Sequence, residues 1–174
     1  MFTKIAVATD GSPLANKAVQ SAADLARQFG SELTIFHVLM HGEPPESLKR
    51  MAEVEHLVAA QPHPDVSLSN LPSSVIAVNA DLERNRLNHE IVAIVGEMVI
   101  RQARNCVHDS GVTNVKNEIL DGQTADEILA AAKRVGADLV VLGSRGLNPL
   151  KGLFMGSISQ KVSQRADCAC LIVK

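Results

Sequence analysis

The fold is decided near the C-terminus by residues 137–146, which read ADLVVLGSRG. The four central apolar residues, 139–142, predict a strand that is buried on both faces, as the strands of parallel sheets are. The run then becomes polar and glycine-rich, and a helical pattern starts near Ser157. A buried strand, a glycine-rich loop and a helix in this order are typical of α/β proteins.

Similar patterns alternate along most of the chain. Short apolar runs predict further strands at 5–8, 33–38, 114–120 and 169–173. Helical spacing of apolar residues predicts helices at 13–29, from about Asn88 to His108, from Thr124 to Gly136, and from Ser157 onwards. We therefore expect a single domain over 1–174, built on an open parallel sheet with helices on both faces.

Local residues mark where several helices begin and end. Ser12 is a good N-cap, and Pro13 suits the first helical position. Gly30 is expected to end the same helix. Residues 124–127, TADE, fit a capping box that opens a later helix.

One segment, at about 41–81, departs from this alternation. Residues 46–60 have a partial helical pattern, and 61–74 carry three prolines and are expected to be irregular. The segment has too few large apolar residues to fold alone, so we interpret it as an insertion. A lid, a dimer contact and surface decoration are the roles left open for it.

Composition argues against several classes of function. The chain has 174 residues and a formal net charge of −2, with no Trp, no Tyr and only four Phe. Aromatic platforms for single-stranded nucleic acid and a basic surface for DNA are both missing, so we expect no nucleic-acid partner. Three Cys form no disulfide framework, and neither a leader nor an apolar stretch of ~20 residues is visible. We expect a cytoplasmic protein without membrane insertion.

The glycine-rich loop has the spacing of a phosphate-binding site. Gly143 and Gly146 follow the strand, and residues 156–157 complete the pattern G-x2-G-x9-G-S. Glycines let the backbone approach an anion, and the helix start adds free N–H groups and a positive dipole end. Hydroxyl groups of Ser157 and Ser159 add donors at the carboxyl end of a strand, where α/β sheets bind ligands. The pattern predicts phosphate binding, while turn-forming glycines and a plain capping box at Ser157 stay open.

These features together resemble the nucleotide-binding branch of the universal stress protein family. The resemblance covers residues 3–40 and about 85–174. It rests on five stretches, namely KIAVATDGS at 4–12, the strand 33–38, Gly122, the run 137–146 with Gly156-Ser157, and the closing strand.

The resemblance implies a flavodoxin-like, Rossmann-like sheet of five parallel strands in the order 3-2-1-4-5. It also implies homodimers formed largely through the last strand, at about Ala169–Val173. The expected ligand is ATP or AMP, with Mg²⁺ or Mn²⁺ on the phosphates, in a protein that acts as a stress-response or signalling switch.

The resemblance also implies the nucleotide-binding residues. Asp10 would contact the ribose or adenine, and Ala8 and Thr9 would flank it. The backbone of Val38 would meet the adenine edge. Relatives often have Pro where this chain has Ala8. The remaining nucleotide contacts are expected around the glycine loop, at Leu142, Gly143, Arg145, Gly146, Gly156, Ser157, Ile158 and Ser159. No catalytic residue and no protein ligand to a metal is predicted.

Other reactive side chains give weaker signals. Cys168 and Cys170 are expected to be small buried residues, with a redox-sensitive interface as the alternative if the last strand pairs across a dimer axis. The six His have no zinc-ligand spacing. Two other functions remain open, an adenine-nucleotide hydrolase and an interaction module without a nucleotide.

Overall fold

A five-stranded parallel sheet forms the centre of the computed structural model, which describes residues 1–39, 73–147 and 155–174. The sheet order β3-β2-β1-β4-β5 confirms the predicted topology. Every pair of neighbouring strands is parallel. The strands are β1 (Lys4–Ala8), β2 (Glu32–Val38), β3 (Val115–Leu120), β4 (Leu139–Gly143) and β5 (Ala169–Val173).

Helices cover both faces of this sheet, as predicted. They are α1 (Pro13–Phe29), α2 (Ser73–Asp109), α3 (Thr124–Val135) and α4 (Ser157–Arg165). One buried cluster joins strand side chains to α1 and to the C-terminal part of α2, and a second joins them to α3 and α4. Alanines form much of the buried face of α1 and α3, so these helices lie close to the sheet without aromatic side chains.

The chain divides into two compact units. The first, Met1–Leu39 with Gly96–Lys174, contains the whole sheet. The second is Met40–Val95, of which the structure describes the helical residues from Ser73 onwards. The predicted helix at 46–60 and most of the predicted irregular stretch lie outside the described residues.

Helix α2 begins at Ser73 and not near Asn88, so the predicted start is wrong. Residues 73–81, which we had assigned to the insertion, belong to this helix. Between Ser73 and Asn88 the sequence has neither Gly nor Pro, the two strongest helix breakers, so nothing in it ends the helix.

The caps of α1 are as predicted, whereas the capping box at α3 is wrong. The Ser12 hydroxyl accepts a hydrogen bond from the Ala15 N–H at 3.3 Å, and Gly30 ends the helix with φ 66°. At α3 the N-cap is Gln123, and Thr124 is already helical. Gly122, just before this N-cap, takes φ +143°, a conformation that favours glycine.

Asp138 joins the amino ends of β1 and β4. Its carboxylate accepts hydrogen bonds from the Thr3 N–H at 2.7 Å, the Thr3 hydroxyl at 2.8 Å and the Lys4 N–H at 3.2 Å. Burial raises the pKa of this group, but the hydrogen bonds more than offset burial and hold the pKa below its ordinary value of 3.8. The ionised form therefore stabilises the fold.

We expect Asp138→Ala to lower the free energy of unfolding by about 1–3 kcal/mol, because three donors lose a charged acceptor. The stabilisation is complete above the pKa of the unfolded chain and disappears as pH falls through the lower pKa of the folded state. Urea unfolding at several pH values measures both effects. Asp167→Ala is the matched control, since Asp167 is exposed and its nearest partner, Lys133, lies at 3.9 Å. Equal losses in the two variants would contradict the role of Asp138.

Within the described ranges, no helix combines the length and apolarity that a bilayer crossing requires.

Candidate functional site

The carboxyl ends of β1 and β4 lie side by side at the centre of the sheet. Ala8 ends β1 and pairs with Leu142 of β4 on one side and with Phe36 of β2 on the other. From β1 the chain continues towards β2, whereas β4 and β5 lie on the opposite side. In α/β sheets this reversal leaves a crevice at the carboxyl edge, and ligands bind there.

Gly143 ends β4 where the strand meets the first turn of α1. A Cβ at this position would lie 2.9 Å from the Ala15 N and from the Leu14 carbonyl carbon. Real Cβ atoms are almost never so close to backbone atoms, so only glycine fits without a shift of α1. This glycine of the motif therefore has a structural role, independent of any ligand.

Three hydrogen bonds connect the end of β4 to its surroundings, one to β5 and two to the start of α4. The Ser144 N–H donates to the Val173 carbonyl at 2.7 Å, and the Ser144 carbonyl accepts from the Gly156 N–H at 2.7 Å. The Ser159 hydroxyl donates to the Gly143 carbonyl, also at 2.7 Å. The Ser159 hydroxyl is thus engaged within the protein, and its expected contact with a phosphate stays a prediction.

The N-terminus of α4 has the properties of an anion site. Its N-cap is Gly156, which has no side chain to occupy the first amides. The first helical bond is Gln160 N–H to the Gly156 carbonyl, so the N–H groups of Ser157, Ile158 and Ser159 have no acceptor within the helix. The first turn holds no acidic residue, and the Ser157 side chain is exposed.

The two other helices that begin at this edge are less suited to an anion. In α1 the Ser12 hydroxyl already accepts from a first-turn amide. In α3 the first turn contains Asp126 and Glu127, whose charges offset the positive end of the helix. Of these three helix starts, only that of α4 combines a glycine cap with a first turn free of carboxylates.

Asp10 links the end of β1 to the glycine loop. One carboxylate oxygen accepts from the Ser12 N–H at 3.0 Å, and the other accepts from the Leu147 N–H at 2.9 Å. A Cβ at Gly146 would overlap the Asp10 carboxylate, so this second motif glycine lets the loop approach Asp10. The structure therefore brings Asp10 next to the loop, as the ligand assignment requires.

Val38 ends β2 beside β1. The Thr9 N–H donates to the Phe36 carbonyl, and the Leu39 N–H donates to the Leu120 carbonyl on β3. Backbone groups of successive residues point to opposite sides of a strand. Phe36 points to β1 and Leu39 to β3, so the N–H and C=O of Val38 point to the β1 side. They lie beyond Ala8, the last residue of β1 that pairs with β2. These groups therefore point towards the crevice.

Arg145 lies near the start of α4, and other residues considered from the sequence have different positions. Arg145 is exposed, and its Cα lies 3.6 Å from a Cβ built at Gly156. Lys151, expected to be a surface residue, lies outside the described residues. The sequence did not predict the structural roles of Ser144 and His37. His37 was considered only as a metal ligand, although a His within a strand expected to be buried indicates a polar side chain that needs a hydrogen-bond partner.

Cysteines and metal ligands add no second site in the described part of the chain. Cys106, Cys168 and Cys170 are free thiols, and burial raises the pKa of each. No group of three or more His, Cys, Asp or Glu in residues 1–39, 73–147 and 155–174 has the arrangement of a metal site.

A model of the universal stress protein family matches residues 1–174, the full sequence. The chain belongs to the universal stress protein family. Universal stress protein YxiE of Bacillus subtilis is 32% identical over 174 residues, and the match covers 100% of each chain. The resemblance deduced from residues 4–12 and 137–157 is therefore confirmed at the level of the family.

Solved universal stress proteins share the fold. One, in complex with cAMP, matches with a TM-score of 0.59 at 21% identity, covering 99% of this chain and 97% of that chain. A second, from Archaeoglobus fulgidus in complex with dAMP, matches with a TM-score of 0.59 at 18% identity, covering 99% and 98%. These likenesses confirm the flavodoxin-like α/β fold.

Proposed function

We propose that this universal stress protein binds an adenine nucleotide, ATP or AMP, at the carboxyl edge of its sheet, and acts as a dimeric stress-response or signalling switch in the cytoplasm. The observation that carries the proposal is the N-terminus of α4, which has a glycine cap, no acidic first turn and an adjacent glycine loop. Family members bound to cAMP and dAMP support it, since both ligands contain adenine and a phosphate.

Each part of the nucleotide has a matching part of the site. The phosphates would accept hydrogen bonds from the first amides of α4, at Ser157, Ile158 and Ser159. The ribose hydroxyls would donate to Asp10, whose carboxylate lies against the loop. The adenine edge offers one donor and one acceptor, which match the backbone carbonyl and N–H of Val38.

A divalent cation would be held chiefly by the nucleotide. Mg²⁺ keeps several waters and commonly binds through substrate phosphates with few protein carboxylates. Mg²⁺ or Mn²⁺ would then neutralise phosphate charge and strengthen ATP binding more than AMP binding.

Ultraviolet absorbance tests the binding with little background. Because the chain has no Trp and no Tyr, its own absorbance at 280 nm is very weak. We expect purified protein, treated to remove nucleic acid, to carry a 260 nm band that mass spectrometry assigns to an adenine nucleotide. Calorimetry of stripped protein should give 1:1 binding of AMP or ATP and much weaker binding of GMP. Protein that lacks the band and binds neither AMP nor ATP would overturn the proposal.

The dimer is proposed to form through the outer edge of β5. Within the described residues this strand pairs on one side only, with β4. The Val173 carbonyl accepts from the Ser144 N–H on the β4 side, so by alternation the N–H groups of Cys170 and Ile172 face the open edge. An unpaired edge of this kind is a template for another strand.

Proline at position 170 tests this edge. We expect Cys170→Pro to convert a dimer to a monomer, because it removes an outward N–H while leaving the β4 side intact. Sedimentation velocity measures the mass, and Cys170→Ala is the control that removes the thiol but keeps the N–H. Dimers of equal stability in both variants would place the interface elsewhere, and a monomeric wild type would remove the dimer from the proposal.

A further inference from the structure

His37 is a buried polar residue next to the last residue of β2. Its relative exposure is 6%, and it continues the face of β2 on which Leu33 and Ile35 pack into the core. Its Nδ1 lies 2.9 Å from the Thr9 carbonyl oxygen. A carbonyl only accepts, so Nδ1 carries the hydrogen and donates it to Thr9.

Helix α2 holds the opposite edge of the imidazole in place. A Cβ built at Gly96 would lie 3.2 Å from His37 Cδ2 and 2.8 Å from Leu39 Cδ2. Glycine in the middle of a helix costs about 1 kcal/mol relative to Ala, so its presence at this contact has a packing reason. The glycine lets α2 pack directly against the ring, which fixes the direction of the Nδ1–H group.

The bond to Thr9 orients the peptide group that leads into the site. The Thr9 carbonyl and the Asp10 N–H belong to one planar unit. The bond to the Thr9 carbonyl therefore also fixes the orientation of the Asp10 N–H. Asp10 in turn accepts from Ser12 and Leu147.

The same bond replaces a step of the β1–β2 ladder. After the bond from Thr9 N–H to the Phe36 carbonyl, a regular parallel ladder would continue from Val38 N–H to the Thr9 carbonyl. Among residues 1–39, no backbone bond joins Val38 to Thr9, and His37 Nδ1 donates to this carbonyl instead. The imidazole thus bonds to the carbonyl at which the ladder would have continued, and the Val38 N–H does not.

We propose that His37 is a positioning residue for the base of the nucleotide. By holding the Thr9 carbonyl where the Val38 N–H does not bond to it, His37 leaves that N–H for the ligand and fixes the Thr9–Asp10 peptide. The inference rests on the proposed function, because it assumes that a nucleotide base meets Val38. It assigns to His37 a role in recognition of the base and none in phosphate binding.

Two substitutions of nearly equal shape separate the hydrogen bond from packing. Asn and Leu both branch at Cγ, but only Asn keeps an N–H donor near the position of Nδ1. We expect His37→Leu to raise the Kd for AMP about tenfold and His37→Asn to stay within about threefold of wild type, as the loss of one hydrogen bond predicts. Inorganic pyrophosphate, which lacks both the base and the ribose, should bind all three proteins equally. Calorimetry measures both ligands.

The outcomes distinguish this inference from the proposed function. A wild type that binds neither AMP nor ATP overturns both. If the wild type binds AMP but the His37→Leu and His37→Asn variants lose equal affinity, or if pyrophosphate binding weakens in parallel, the role of His37 is packing alone. If His37→Leu does not fold, nitrogen-15 NMR of the wild type decides, since a hydrogen found on Nε2 and absent from Nδ1 overturns the inference.

Discussion

Gly143→Ala is expected to unfold at a much lower urea concentration than the wild type, with a loss of about 3 kcal/mol in the free energy of unfolding. The new Cβ would lie 2.9 Å from backbone atoms of Leu14 and Ala15. Backbone atoms in the first turn of α1 cannot rotate away as a side chain can. Relief therefore requires α1 to shift from β4, which disturbs the buried alanines on its inner face. Circular dichroism follows the unfolding, since the chain has no Trp for fluorescence.

Gly156→Ala provides the control within the same motif. A Cβ at Gly156 would lie 3.5 Å from the Ser144 carbonyl oxygen, an ordinary contact. Its backbone is extended, with φ −74°, which any residue adopts. We expect Gly156→Ala to change the free energy of unfolding by less than about 1 kcal/mol. Ala is a poorer N-cap than Gly, but it also restricts the unfolded chain, and the two effects oppose each other. Similar losses in the two variants would show that the contact between β4 and α1 is not what requires Gly143.

The contrast between these glycines shows what sequence could and could not supply. The apolar runs at 5–8, 33–38 and 139–142 predict the parallel sheet because burial on both faces demands such runs. The glycine spacing predicts where the chain approaches something closely. It does not say whether that partner is a ligand or the protein itself, and at Gly143 the partner is α1.

Side-chain roles were harder to predict than the fold for the same reason. The hydroxyl of Ser159 was expected at a phosphate, yet it donates to a carbonyl that only the folded β4 brings within reach. His37 was judged by the absence of metal-ligand spacing, whereas its partner, Thr9, is distant in sequence and adjacent only across the sheet. The predicted start of α2 was too late, although Val75, Val78 and Leu82 have helical spacing and neither Gly nor Pro interrupts the helix there.

The substitution Ser157→Asp is expected to raise the stability of the fold and to weaken nucleotide binding strongly. Ser157 is exposed and is the first residue of α4, so an Asp there meets no packed side chain. A negative charge at a helix N-terminus adds about 0.3–1 kcal/mol of stability. The same charge repels a phosphate that uses these amides, and a penalty of about 2 kcal/mol corresponds to about a 30-fold rise in Kd.

The opposite signs of these two effects make Ser157→Asp a sharp test of the anion site. Ser157→Asn is the matched control, since it has the same shape without the charge and should keep most of the affinity for AMP. The difference between Asp and Asn should shrink as salt screens the repulsion. Calorimetry at low and high salt measures the affinities, and thermal unfolding measures the stability. A more stable Asp variant that binds AMP as well as the Asn variant would show that the phosphate does not lie at the start of α4. The glycines around this helix would then serve the fold alone, as Gly143 does.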